Sequence, residues 1–361
     1  MTLDLDVPVG ELTQRLLEVE SVSGNEGPIA DAVEEALRAL PHLDIVRDGD
    51  AIVARTDLGR DERVAVVGHL DTVPLAEGLD VRLDGDTLWG RGAVDMKGGV
   101  AVILSLAASI AEPSRDVTWI LYDHEEVADE LNGLRRILEN RPELLDVAFA
   151  VLAEPTAGRI EGGCNGTLRV EAAIPGVAAH SARAWKGVNA IHQAAPVVSA
   201  LAAYTPTTVV VDGLEYREGL NAVGITGGVA GNVIPDRCVV TINYRYAPDK
   251  NREQAIDHLR GVLEGSGVDG LTFEVVDHGA SCRPGLDAPA ARAFVERALA
   301  MGAGGPDAKV AWTDVARFGA IGIPAVNFGP GDPNLAHSAE ERVSVAEIER
   351  VRKGLAAWLG E

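Results

Sequence analysis

Basic side chains are scarce in this chain: 32 lysines and arginines stand against 55 aspartates and glutamates, a net charge of −23 at pH 7 over 361 residues. A field of that sign repels phosphates, so nucleic acid and anionic membranes are not expected as partners. Long apolar runs are missing as well. The longest, around Val100 to Ala111, is shorter than the ~18 to 20 residues that cross a bilayer. The acidic start, Met1-Thr-Leu-Asp-Leu-Asp, lacks the basic and then apolar pattern of a secretory signal, so a cytoplasmic protein is expected. Only three cysteines occur, Cys164, Cys238 and Cys282, with no CxxC; all three are read as reduced. No GxSxG, GxxxxGK[ST] or GxGxxG is present, which argues against the serine hydrolases and nucleotide enzymes built on those loops. The second histidine of an HExxH motif is also absent, because Ala128 follows His124-Glu125-Glu126-Val127.

What is present is the composition of a folded protein, 47% hydrophobic and 24% charged. Apolar residues at helical spacing predict helices over Val9 to Glu20 and Pro28 to Leu40. Short β-branched runs then alternate with helical stretches: Ala51 to Arg55, Arg63 to Gly68, a helix from Lys97 to Ile110, Asp116 to Tyr122, a helix from Gly133 to Glu139, and Val147 to Leu152. That alternation predicts an α/β fold with a mixed, largely parallel sheet. From Leu168 the order changes to β-α-β-β-α-β, ending near Val276, which predicts an inserted α+β domain of the split βαβ, ferredoxin-like kind. The expected boundaries are 1–167 and 281–361 for the first domain and 168–280 for the insertion. Gly302 to Asp307 reads as a loop, after which helix and strand return to the first sheet.

Five motifs place metal-type side chains where α/β folds bind ligands, at the carboxyl ends of strands or in loops. In Gly68-His69-Leu-Asp71, the imidazole can ligate through one nitrogen while Asp71 accepts from the other. Trp89-Gly-Arg-Gly-Ala-Val-Asp95-Met-Lys-Gly-Gly99 presents one carboxylate among glycines before a helix. In Asp123-His124-Glu125-Glu126, adjacent glutamates repel unless a cation offsets them, and they can divide ligation from general-base work. Glu154 ends an apolar run, and His337 closes a loop rich in Gly and Pro. Taken singly, His69 reads equally as a satisfied strand-end residue and Asp95 as a helix cap. The pairs Glu34-Glu35 and Glu340-Glu341 read as solvated. Together, two histidines and three carboxylates suit a pair of zinc ions with one carboxylate shared.

These motifs, in this order over nearly the whole chain, resemble the dizinc aminoacylase and carboxypeptidase family of amidohydrolases, whose N-terminal signature also resembles Ser21-Val-Ser-Gly-Asn-Glu26. The resemblance implies a zinc-hydrolase domain with an inserted lid through which two copies form a homodimer. It implies two zinc ions, with cobalt or manganese admissible in one site. Asp95 would bridge them, His69 and Glu154 would complete one site, and Glu126 and His337 the other. Glu125 would be the general base, activating a water that the two metals make nucleophilic, with Asp71 behind His69. A cis peptide is implied between Asp95 and Met96. In Gly176-Val-Ala-Ala-His180-Ser, His180 would stabilise the oxyanion in the partner's site, and Asn232 and Arg245 would bind substrate.

Within the family, Trp312-Thr313-Asp-Val-Ala-Arg317-Phe and Gly322-Ile-Pro-Ala-Val-Asn-Phe-Gly-Pro-Gly resemble the actinobacterial-type desuccinylase branch, which acts on N-succinyl-LL-2,6-diaminopimelate. Thr313 and Arg317 would then meet the carboxylates of an anionic amide substrate. Cys164-Asn165-Gly166-Thr167 stands where other members carry an arginine before Gly-Ser/Thr, and His124 where they carry an acid. Acetylornithine deacetylases and carboxypeptidase-like peptidases share the same implied ligands and form the alternative reading. A non-catalytic metal-binding relic is the alternative of another class.

Overall fold

Helices Val9–Leu17 and Gly27–Arg38 bury their apolar stripes, Leu12 and Leu16 on one and Ile29, Val33 and Leu37 on the other. Pro28 lies in the first turn of the second, where its missing N–H costs nothing. The computed structural model describes residues 3–360. Contacts divide the chain into two compact units: Met1–Gly162, Pro284–Asp307 and Arg317–Glu361 form one, Gly163–Arg283 and Ala308–Ala316 the other. The segment Ala308–Ala316 therefore groups with the insertion, where the sequence reading kept it with the tail.

The first unit is organised by an eight-stranded sheet. Its spatial order is Asp44–Asp48, Ala51–Arg55, Asp116–Tyr122, Arg63–His69, Phe149–Pro155, Ala325–Gly329, Arg159–Gly162 and Gly304–Ala308. The four central strands run parallel, and the strands Asp116–Tyr122, Phe149–Pro155 and Ala325–Gly329 are buried at every position, as expected of a sheet covered on both faces. The outer pairs at the Ala51–Arg55 side are antiparallel, as is Arg159–Gly162 against Ala325–Gly329. The helix Lys97–Ser109 is apolar nearly all round and packs against the sheet and the helices Val9–Leu17 and Val345–Leu359. Its first turn approaches the neighbouring strand so closely that a Cβ on Gly99 would lie 2.3 Å from the Ala153 carbonyl oxygen. Gly99 is thus required for close approach, whereas its sequence context suggested only a flexible turn. Phe149, Phe294, Phe328 and Trp358 form a tilted and edge-to-face cluster that steadies the sheet.

Gly304–Ala308 is an edge strand, not the loop read from its glycines and proline. An edge position explains how it tolerates Pro306, since only one of its sides needs ladder donors.

The second unit carries a four-stranded antiparallel sheet in the spatial order Gly219–Gly227, Arg237–Tyr246, Gly166–Pro175, Thr272–Gly279. With helices Ala190–Ala203 and Arg252–Glu264, the chain order is the expected β-α-β-β-α-β. Alternate strand residues (Val170, Ala172, Ile174, Val240, Ile242) pack against Ala194, Val197 and Leu259 of the helices. The run near Thr207 stands outside that order and forms a separate hairpin, Thr208–Val211 with Leu214–Arg217. The reason is local: Asp212 and Gly213 both have positive φ, which matches a tight two-residue turn.

Candidate metal centre

Parallel pairing brings the motif-bearing strand ends of the first unit together. His69 is the last residue of its strand and lies opposite Tyr122, so the Asp123–Glu126 turn leaves the sheet beside it. On the other side Val67 pairs with Leu152, and two residues further along each strand stand His69 and Glu154, both buried. The next parallel strand, Ala325–Gly329, leads into the loop that carries His337.

Ligand atoms of His69, Asp95 and Glu126 all lie within 4.8 Å of one another. The two oxygens of Asp95 face different histidines: Oδ1 is 3.0 Å from His69 Nε2, and Oδ2 is 3.4 Å from His337 Nε2. His337 Nε2 is also 2.9 Å from Glu126 Oε1. A carboxylate shared between two nitrogen-bearing lobes is a donor arrangement able to hold a pair of divalent cations. Asp95 does not cap the following helix: the N-cap is Met96, with no side-chain cap bond. The Asp95–Met96 peptide is cis, as the family resemblance implies.

Asp71 does more than back His69. Its Oδ1 lies 3.5 Å from His69 Nδ1, whereas the closer acceptor is its own backbone oxygen at 3.0 Å. The carboxylate accepts from the backbone N–H groups of Glu125 and Glu126, each at 3.0 Å, and from Ser23 Oγ at 2.7 Å. One buried side chain therefore fixes the turn that presents both glutamates. The same turn is held from behind by Asp123, which receives a two-pronged bond from Arg136 at 2.6 and 3.1 Å. His124 Nδ1 lies 2.7 Å from Asp123, and the buried Glu26 accepts from the His124 backbone N–H at 3.2 Å. The residues 123–128 are irregular rather than helical, in keeping with the broken HExxH pattern.

The electrostatics follow from this packing. Burial opposes a charge on His69, but its bonds to Asp71 and Asp95 prevail and hold it well above the ordinary imidazole range. His337, bonded to Asp95 and Glu126, is pushed up to about 10. Burial raises Asp71, yet His69 and the two N–H groups bring it down to about 2. Asp95 is buried too, and the bonds from His337 and His69 hold it far below the ordinary carboxylate range. The two histidines thus offset the negative charge of Asp71 and Asp95, the role that divalent cations would take over.

Sequence reasoning gave no individual role to Ser23, Glu26 or Arg91, although each lies in a motif it singled out, and it misread Glu341. Glu341 is the clearest correction: read as half of a solvated pair, it is fully buried. The signal was present, because Glu341 and Val343 share one face of a strand-period run. Glu34 is not simply solvated either, since it bonds Arg38 and Arg47.

The second unit collects its own candidates. His180 lies in a two-residue strand opposite Val233, and the Ser181 N–H donates to the Asn232 oxygen at 2.9 Å, so His180 and Asn232 are neighbours. Arg245 pairs in register with Thr167. Its guanidinium makes no ion pair among the described residues, and burial followed by the nearby Arg169 lowers its pKa. Cys164 Sγ lies 3.8 Å from the Thr313 oxygen, so this thiol is packed against another candidate. Arg317 belongs to the first unit, where its guanidinium bonds Asp129 at 2.5 Å. No helix among the described residues is long and apolar enough to cross a membrane.

Comparison with known proteins gives a consistent result. The sequence profile of Peptidase family M20/M25/M40 matches residues 65–361. A Mycobacterium tuberculosis protein provisionally named succinyl-diaminopimelate desuccinylase is 51% identical over 359 residues, 99% of each chain. A Corynebacterium glutamicum protein named succinyl-diaminopimelate desuccinylase is 45% identical, over 97% of this chain and 95% of its own. A tripeptidase from Staphylococcus aureus superposes with a TM-score of 0.80 over 99% of this chain and 98% of its own; at 20% identity that likeness is one of fold.

Proposed function

The chain belongs to Peptidase family M20/M25/M40, and from that membership we propose that it hydrolyses the amide of N-succinyl-LL-2,6-diaminopimelate to succinate and LL-2,6-diaminopimelate, a step toward lysine and meso-diaminopimelate. The observation that carries the substrate is the full-length 45% identity to the Corynebacterium glutamicum desuccinylase. Two divalent cations, zinc in this reading, would be held by His69, Asp95, Glu126, Glu154 and His337. When bound they supply Lewis acidity toward the amide carbonyl and acidify water. The residues around them do the rest. Glu125, its backbone pinned by Asp71, takes the proton from the attacking water and returns it to the leaving amine. His180 of the partner subunit donates to the developing oxyanion. Arg245, which makes no ion pair among the described residues and lies beside a second arginine, is suited to a substrate carboxylate; Asn232 and Thr313 would add hydrogen bonds, and Arg317 would exchange its bond to Asp129 for one to substrate. The substrate is an anion approaching a chain of net charge −23, so such local cations must overcome the global field.

The protein acts as a homodimer in this reading. The edge strand Gly219–Gly227 has one unpaired side and exposes Val223 and Ile225, and the helix packed on it exposes Ile191 and Val198. A second copy of the same unit is the occupant that such an edge and apolar patch fit. The absence of any CxxC among three thiols supports a reducing, cytoplasmic setting.

The test is a side-by-side assay of the zinc-loaded protein on N-succinyl-LL-2,6-diaminopimelate and N-acetylornithine. A kcat/KM preference of ~100-fold or more for the succinyl substrate, about 2.7 kcal/mol of discrimination, is expected. A reversed preference would assign the chain to an acetyl-amide substrate with the same site.

A further inference from the structure

The glycine-rich segment that carries Asp95 also carries Arg91, a residue the proposed chemistry does not use. Arg91 and Glu341 are 250 positions apart in sequence, and both are almost wholly buried, their side chains 6% and 1% exposed. Arg91 Nη1 meets Glu341 Oε2 at 2.6 Å. The other Glu341 oxygen accepts from two backbone N–H groups, that of Val94 at 3.0 Å and that of Asp95 itself at 3.2 Å. Arg91 meanwhile donates through Nε to the Pro74 oxygen at 3.1 Å and through Nη1 to the Ser338 oxygen at 3.3 Å. One ion pair therefore grips three loops: the one that follows Asp71, the one that holds Asp95, and the one next to His337.

We propose that the Arg91–Glu341 pair is a positioning clamp that sets the Asp95 carboxylate against His337, and so fixes the spacing of the two halves of the metal centre. A buried ion pair of this kind adds little net stability, because desolvating both charges offsets their attraction; what it does in this fold is hold one geometry. Here the selected geometry is functional, since the bonds end on the backbone of Asp95 and on the residue beside His337. The Asp95 oxygens reach the two histidines at 3.0 and 3.4 Å, and a shift of either loop by a fraction of an ångström would change which donor set can close around a cation. The fork of an arginine suits this grip because the bonds leave from two separate nitrogens, Nε to Pro74 and Nη1 to Glu341 and Ser338, a spacing that the single nitrogen of an ammonium cannot match.

The clamp rests on the dimetal reading given above, and the experiment separates the two. Zn²⁺ binding to metal-free wild type, Glu341→Gln and Arg91→Lys is measured by competition with a chromophoric chelator, alongside thermal melts and the visible absorption of the Co²⁺-loaded proteins. Expected are two Zn²⁺ in the wild type, and in both variants a folded protein in which one of the two is weakened by ~10 to 100-fold, with an altered Co²⁺ spectrum and reduced kcat. Glu341→Gln keeps the shape and an acceptor oxygen, so it folds even if a harsher truncation does not. Folded variants that bind two Zn²⁺ as tightly as wild type, with the same Co²⁺ spectrum, would overturn the clamp alone. A wild type that binds no Zn²⁺ would overturn the dimetal reading and the clamp with it.

Discussion

In the first unit, Asp71 is fully buried and accepts bonds from Ser23, Glu125 and Glu126, while Asp123 and Arg136 brace the same turn. In the second, His180 is exposed on a two-residue strand, and its side chain accepts one bond from the Ala182 N–H. The first arrangement leaves the reacting groups little freedom, as fixed electrostatics requires. The second holds its candidate donor lightly, as befits a group that must adjust to a substrate. On the function proposed above, the contrast would divide the work: one unit would supply preorganised metal and base chemistry, the other adaptable recognition.

The sharpest way to break that division is at the base. Glu125→Ala should lower kcat by roughly 10³-fold or more while the protein still binds two equivalents of zinc, because Asp71 holds the turn through backbone groups that the substitution leaves in place. Metal analysis beside steady-state kinetics checks this, and an active variant removes Glu125 from the mechanism. His180→Ala should cost about 10² to 10³-fold in kcat with zinc content and melting temperature unchanged. Equal losses of zinc and of activity would mean that the second unit is not the adaptable partner described here.

The electrostatics of the first unit sharpen the comparison further. In the metal-free protein His69 and His337 hold protons, with His337 at about 10, and each must lose its proton to become a ligand. Zinc affinity should therefore rise with pH between about pH 6 and 8, by up to tenfold per unit for each imidazole displaced. Calorimetric titration in two buffers of different ionisation enthalpy measures the protons released, and a pH-independent affinity would contradict the assignment. The smallest effect concerns the scaffold. Gly99→Ala, with its Cβ 2.3 Å from the Ala153 oxygen, should destabilise the protein by about 1–3 kcal/mol, readable by urea denaturation.

Much of this was legible before the structure. The helix Lys97–Ser109 and the strands Arg63–His69 and Asp116–Tyr122 lie where the local pattern put them, because each is long and apolar enough for that pattern to decide. The strand Gly304–Ala308 was not legible. Its residues are turn formers, and only pairing with Arg159–Gly162 at a sheet edge makes it a strand. The hairpin around Asp212-Gly213 could have been read from that dipeptide.

The sequence by itself determined the donor types and their order along the chain, because a strand end and the residues after it are local features. Which donors meet was a tertiary matter. Asp95 and His337 are separated by 242 positions, and Arg91 and Glu341 by 250, so neither pairing leaves a local trace. Parallel pairing in the central sheet brings the motifs to one edge, and the fold then sets the buried Glu341, whose partner no local pattern names, as a support for the carboxylate at the centre.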